Sequence, residues 1–141
     1  MDYIYDKLIT YTTNVFKYYG GIGKKILKNY ETQTKDIIEK GENKIIAATG
    51  SYIGEGFDDS KLDVLFLTMP ISDQTRVTQY AGRLHRRDDN KKEILIYDYV
   101  DDNFEKTRNM FFKRKKTYEK LGYEILNEEE QVRHIINIKV R

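Results

Sequence analysis

The chain has 141 residues, the size of a single domain, with 39% hydrophobic and 34% charged residues and a net charge of only +2. The absence of cysteine excludes disulfides and thiolate metal sites, and suits a reducing compartment such as the cytoplasm. No apolar run approaches the roughly 20 residues of a membrane span, and the start "MDYIYDKLIT" reads as no signal peptide. So small a basic excess does not itself point to nucleic acid, and the distribution of charge matters more.

In chain order, Asp2–Thr12 reads as a helix with no strand before it, although a doubly wound domain normally opens on a strand. The first apolar run is Val15–Tyr19, followed by the glycine turn "YGGIGKK" and a helix over Gly23–Lys40 that carries Ile26, Leu27, Tyr30, Ile37 and Ile38. Gly41 supplies its stop. A second run, Lys44–Thr49, feeds the loop "ATGSYIGEGFDD", and a third spans Asp63–Thr68. Ser72 or Asp73 caps a helix over Ser72–His85. The run Glu93–Val100 follows, then a helix over Asp102–Leu121 with Phe104, Thr107, Phe111, Tyr118 and Leu121 on one stripe, ending at Gly122. Nearly continuous apolar strands point to a sheet buried on both faces, and strand–helix alternation points to an α/β domain with a mostly parallel sheet.

The glycine loops fail two fingerprints. A phosphate loop, G-x-x-x-x-G-K-[ST], aligned on Gly23-Lys24 would need glycine at Tyr18 and a metal-ligating hydroxyl at Lys25. What remains is a strand-to-helix turn whose helix start, with Lys24 and Lys25, could hold one backbone phosphate. A dinucleotide loop, G-x-G-x-x-G, starts at Gly54 and Gly56 but has Asp59 at its third position, and the next strand leaves little room for a helix. The loop still lies at the carboxyl end of a strand, where such folds place ligands, with Asp58 available there.

The segment "RVTQYAGRLHRR" is the most informative. On a helix Val77, Tyr80 and Leu84 share one face, while Arg76, Gln79, Arg83 and Arg86 share another, and Gly82 lets another backbone approach. Guanidinium pairs suit the spread charge of a phosphoryl-transfer transition state.

Thr49-Gly50 with Gly56-Phe57-Asp58, followed by Gln79-Tyr80-Ala81-Gly82-Arg83-Leu84-His85-Arg86, resembles motifs V and VI of superfamily 2 helicases. The wording "ATGSYIGEGFD…LDVLFLTMP…QYAGRLHR…IYDYVD" is similar to bacterial DEAD/DEAH-box proteins related to the helicase subunits of restriction enzymes. The resemblance runs from about Asp2 to Tyr123. It implies a RecA-like, three-layer α/β fold. Residues 1–123 would be a second RecA-like domain lacking its first strand, and 124–141 a C-terminal extension. It implies ATP with Mg²⁺ as cofactor, shared with an N-terminal RecA-like domain that carries the phosphate loop and acidic motif. Arg83 and Arg86 would be arginine fingers, with Gln79, Gly56 and Asp58 facing the nucleotide. Thr49, Gly50, Gly21 and Lys24 would touch nucleic acid, DNA more than RNA. Tyr80 departs from the arginine often found second in motif VI. An alternative is a non-catalytic remnant that binds nucleic acid or a partner. A missing first strand would leave an open sheet edge that invites self-association.

Three further features read more plainly. His85 and His134 are too isolated for a metal site, and His85 fits helix packing or a cleft rim. Lys113-Arg114-Lys115-Lys116 is either a solvated helix face or a phosphate-backbone contact. Glu128-Glu129-Glu130 reads as a solvated turn.

Overall fold

The computed structural model describes residues 1–54, 57–89 and 91–126, and the backbone of 135–140. Glu128–Glu130 and His134 fall outside them. The chain divides into two compact units, Met1–Phe57 and Asp58–Arg141.

The first unit contains α1 (Asp2–Leu8), β1 (Val15–Tyr18), α2 (Lys24–Glu39), β2 (Ile45–Ala48) and α3 (Gly50–Gly54). β1 and β2 pair in parallel, Val15 opposite Ile45 and Tyr18 opposite Ala48, with α2 as the crossover. Parallel strands require such a crossover because their ends lie at opposite edges. α1 stops four residues earlier than its pattern predicts. The β-branched run Ile9–Thr10 and Thr12–Thr13 disfavours helix, and the Thr10 hydroxyl donates to the Lys7 carbonyl. α2 ends as expected: Gly41 adopts a φ of 68°, its N–H donates to Ile38 O, and the Glu42 N–H donates to Ile37 O. That double hydrogen bond is the Schellman closure, which favours glycine because L side chains resist positive φ. Val15, Phe16, Ile37 and Ala47 form the buried apolar centre. Beside it Tyr18 packs against Tyr30, Tyr52 and Phe57 at ring-centroid distances of 5.2–5.4 Å, so these aromatics serve packing.

The second unit contains β3 (Val64–Leu67), α4 (Gln74–Leu84), β4 (Leu95–Tyr99), α5 (Glu105–Lys120), β5 (Tyr123–Leu126) and β6 (Ile135–Val140). Its sheet runs β3-β4-β6-β5; β3 and β4 are parallel, whereas β6 is antiparallel to both β4 and β5. The chain is thus a mixed α/β protein, with five helices among the described residues and short parallel strand pairs, compatible with a RecA-like fold. Both antiparallel pairs involve β6, and β5 and β6 come from the last 19 residues, where the sequence carries short alternating segments, "YEIL" and "IINIKV", rather than continuous apolar runs.

One face of the β3–β4 pair is covered by helices. Val77, Ala81 and Leu84 of α4, Ile96 of β4, Tyr118 of α5 and Tyr123 of β5 form the core cluster. The other face differs from the expected double burial. Phe66 stacks on Tyr97 directly across the ladder, with centroids 4.8 Å apart, yet remains 56% exposed.

The core contains an ion pair. Asp98 is 0% and Arg114 1% exposed. Arg114 Nε and Nη2 donate to the two Asp98 carboxylate oxygens at 2.7 Å each, Nη1 donates to Ile71 O at 2.6 Å, and the Tyr118 hydroxyl donates to Asp98 Oδ2 at 2.9 Å. This corrects the reading of Lys113–Lys116 as a uniform basic face, because Arg114 points into the core. Thr107, Phe111, Arg114 and Tyr118 stand at i, i+4, i+7 and i+11, so the arginine occupies the helix's inward stripe. Desolvating two charges costs several kcal/mol each, and only such complete hydrogen bonding offsets it.

Arg114→Met should therefore leave an uncompensated buried carboxylate and destabilise the chain by about 3–5 kcal/mol, read from urea unfolding. The double variant Asp98→Leu/Arg114→Met should be markedly less damaging than Arg114→Met alone.

Burial, then the Asp98 charge, pushes the Tyr118 phenol well above its ordinary range; burial pushes Tyr123 up to about 12. The folded state thus retains protons that the unfolded chain releases near pH 10. The resulting stability is fully present below about pH 10 and is lost as pH rises through about 12. Tyrosinate absorbance should lag the urea-unfolded chain by at least two of the twelve tyrosines in that window.

Candidate functional site

The predicted site residues fall into two groups, one in each unit. In the first unit Gly21 and Lys24 follow β1, and Thr49 and Gly50 follow β2. Because β1 and β2 are parallel, both pairs sit at the same, carboxyl edge. Gly21 turns the chain with a φ of 83°, and α2 then begins with Lys24 and Lys25, without a side-chain cap or an acidic residue in its first turn. Thr49 extends the ladder, its N–H donating to Tyr18 O at 3.0 Å, and its hydroxyl lies 3.3 Å from that of Ser51. The five-residue α3 opens at Gly50 and ends at Gly54, where the Gly54-x-Gly56 stretch begins. Gly56 lies outside the described residues.

In the second unit α4 forms as its pattern predicts. Asp73 is the cap: its carboxylate accepts from Thr75 N–H at 2.9 Å and Arg76 N–H at 3.3 Å. That satisfies two of the orphan donors of the first turn and places negative charge at the positive end of the helix. Val77, Tyr80, Ala81 and Leu84 face the core, while Arg76, Gln79 and Gly82 are exposed and Arg83 is half-buried. Tyr80, at the position where the helicase pattern often has arginine, is an inward packing residue at 7% exposure.

The helix ends at Leu84, so Arg86 lies in the bend beyond it and not on the helix face. His85 is the C-cap, and its ring meets the Tyr123 ring edge-on at 5.4 Å, which assigns it to packing. Lys91, which the sequence reading passed over, closes this end. Its ammonium donates to Leu84 O at 2.8 Å and Arg86 O at 2.9 Å. A cation at the carbonyl end of a helix complements the dipole. Burial pulls the Lys91 pKa down, opposed by the charges of Asp88, Asp63 and Asp59.

Two ion pairs tie this bend to the loop before β3. Lys61 Nζ meets Asp88 Oδ2 at 2.6 Å, and Arg86 Nη1 pairs with Asp58 Oδ1. The structure therefore brings together two residues that the sequence places 28 positions apart, Asp58 and Arg86, on the same end of α4 as Arg83. No residue pattern would have singled out Lys91, since a lysine that caps a helix seven residues upstream has no fixed spacing.

Among the described residues no group of three or more His, Cys, Asp or Glu could hold a metal ion. Likewise no described helix is long and apolar enough to cross a membrane.

No known family's sequence profile matches the chain. Over 85 residues, 60% of its length, it is 40% identical to "Uncharacterized protein 108L" of Invertebrate iridescent virus 3, and the match covers 77% of that protein. The chain belongs to the same family as 108L. Over 79 residues, 56% of its length, it is also 35% identical to "Putative helicase 161L" of Invertebrate iridescent virus 6. That match covers only 17% of 161L, so the chain corresponds to less than a fifth of this relative.

Gly82 supplies a test of what α4 faces. Among the described residues a Cβ there would meet nothing within 4 Å, so none of them makes the close approach expected at this glycine. Gly82→Ala should raise the thermal stability of the isolated chain by about 0.5–1 kcal/mol through helix propensity alone. A loss of stability would mean that α4 has less room than the structure gives it.

Proposed function

We propose that the chain acts as the second RecA-like motor domain of an ATP-dependent superfamily 2 helicase or translocase, working on DNA in preference to RNA. In this reading Arg83 and Arg86 stabilise the charge that develops on the γ-phosphate, and Gln79, Gly56 and Asp58 lie toward the nucleotide. Thr49, Gly50, Gly21 and Lys24 contact the nucleic-acid backbone. The phosphate loop and the Mg²⁺ ligands belong to a partner domain.

One observation carries the reading. α4 buries one side in the core, and both its ends are fixed, by Asp73 and by Lys91. That construction holds Arg83 and Arg86 near a helix end braced by ion pairs to the preceding loop. Preorganised guanidinium groups are what charge stabilisation in a transition state requires, since no reorganisation is then needed during reaction. The relationship to 161L supports the same conclusion. With 79 residues making 17%, 161L is about 465 residues long, room for two such domains.

A second reading, a non-catalytic nucleic-acid-binding protein, has one observation in its favour. With 85 residues making 77%, 108L is about 110 residues long, too short for a second domain of this size.

ATP turnover by the chain alone should not exceed background. Joined to a phosphate-loop domain, it should turn over ATP, and Arg83→Ala should cut the rate by about 10³-fold or more while nucleotide binding largely survives. Robust hydrolysis by the isolated chain would refute the proposal. Salt-dependent DNA binding that no phosphate-loop partner makes responsive to ATP would favour the second reading.

A further inference from the structure

The small net charge of the chain conceals a segregation. α5 holds seven basic and two acidic residues, an excess of five, so the remainder of the chain is net acidic by three. Arg114 is taken up by Asp98, which leaves six cations on the helix surface. Four of them, Lys106, Lys113, Lys116 and Lys120, stand at i, i+7, i+10 and i+14 and form one stripe over about 21 Å of helix.

The rotation of α5 that presents this stripe is not free to drift. Arg114 binds Asp98 of β4 with two nitrogens and Ile71 O with the third, which fixes the inward side of the helix. The same contact draws the segment before α4 alongside α5. A groove of about 420 Å³ results, lined by Ser72, Glu105, Lys106, Asn109, Met110 and Lys113. It offers two ammonium groups, a hydroxyl and an amide, a donor-rich wall despite the one carboxylate. Next to the stripe Phe112 is 54% exposed and lies one helical turn from both Arg108 and Lys116. Cations at helical spacing beside an exposed aromatic ring combine phosphate attraction with a stacking surface for an unpaired base.

We propose that this outer face of α5, with the groove against Ser72, binds the sugar-phosphate backbone of a single-stranded nucleic acid, with Phe112 as a stacking platform. This surface shares no residue with the loops after β1 and β2. It draws on the helicase reading only in expecting nucleic acid as the polymer, and it needs neither ATP nor the arginines of α4.

The test is fluorescence anisotropy of the full chain with a labelled single-stranded oligonucleotide across a salt series, beside a duplex and vesicles containing phosphatidylserine. Lys113→Gln/Lys116→Gln changes two exposed side chains, and circular dichroism checks that the fold is intact. The slope of log affinity against log salt should fall in magnitude by about 1.4, roughly 0.7 for each lost phosphate contact. Phe112→Ala should weaken single-strand binding by about tenfold and duplex binding by much less. Wild-type slope and affinity in both variants would overturn the proposal, as would vesicle binding at least as tight as oligonucleotide binding. If Lys24→Gln weakens binding while the α5 variants do not, the α5 surface is refuted and the motor-domain reading stands. If Arg83→Ala leaves ATP turnover intact in the chain joined to a phosphate-loop domain while the α5 variants lose binding, the motor-domain reading is refuted and the α5 surface stands.

Discussion

The second unit depends on one salt bridge in an apolar interior. Asp98 ends the buried face of β4, Arg114 stands at the middle of α5, and Ile71 lies three residues before the start of α4. A single guanidinium thereby couples a strand, a helix and the entry to a second helix. Hydrophobic contacts between the same elements would bury comparable area but would tolerate sliding, because they are non-directional. The planar fork of arginine matches a carboxylate in one orientation. The Tyr118 hydroxyl occupies the remaining side of Asp98, so neither charge is left to water or to an empty neighbour. The lysine stripe of α5 derives its orientation from this contact.

α4 carries its own electrostatic logic. A carboxylate stands at its amino end and an ammonium at its carbonyl end, each compensating peptide groups that have no partner within the helix. The segment that follows is irregular, and such segments are ordinarily mobile. Here Lys91, Asp88 and Arg86 reach back to the helix end and to the loop before β3. An exposed pair such as Arg86–Asp58 contributes at most about 1 kcal/mol. The value of these contacts is positional, as several ties fix one short bend.

The sequence made the four parallel strands legible because each is a short apolar run bounded by turn residues, and the helix faces legible because α4 alternates cleanly between core and solvent. Helix ends were readable where chemistry is local, as at Asp73 and Gly41. The rest depends on contacts distant in sequence. Arg114 sits inside "KRKK", where its neighbours argue for solvent, and only its phase with Phe111 and Tyr118 argues otherwise. Asp98 reads as a strand end until a partner 16 residues away is seen. The antiparallel strands were missed because β6 inserts between β4 and β5, and two short alternating segments do not announce which neighbours they will take. At the candidate site, the pairing of Asp58 with Arg86 is a tertiary fact; the motif resemblance drew attention to both residues without giving a reason for them to touch.

That pairing bears on how an anion would be received. Arg86 and Asp58 are 42% and 62% exposed, so water screens their attraction. An arriving phosphate would not meet a bare cation; it would have to displace a carboxylate already in place. A weak surface pair raises only a small barrier to that exchange, yet it keeps the guanidinium from wandering among its many rotamers while it waits. Affinity then reflects the difference between two anions competing for one arginine. On the proposed reading a monovalent anion would gain little over Asp58, whereas a multiply charged phosphoryl group would gain more from the same arginine. If Arg86 serves the nucleotide as proposed, the carboxylate would act as a filter on charge density.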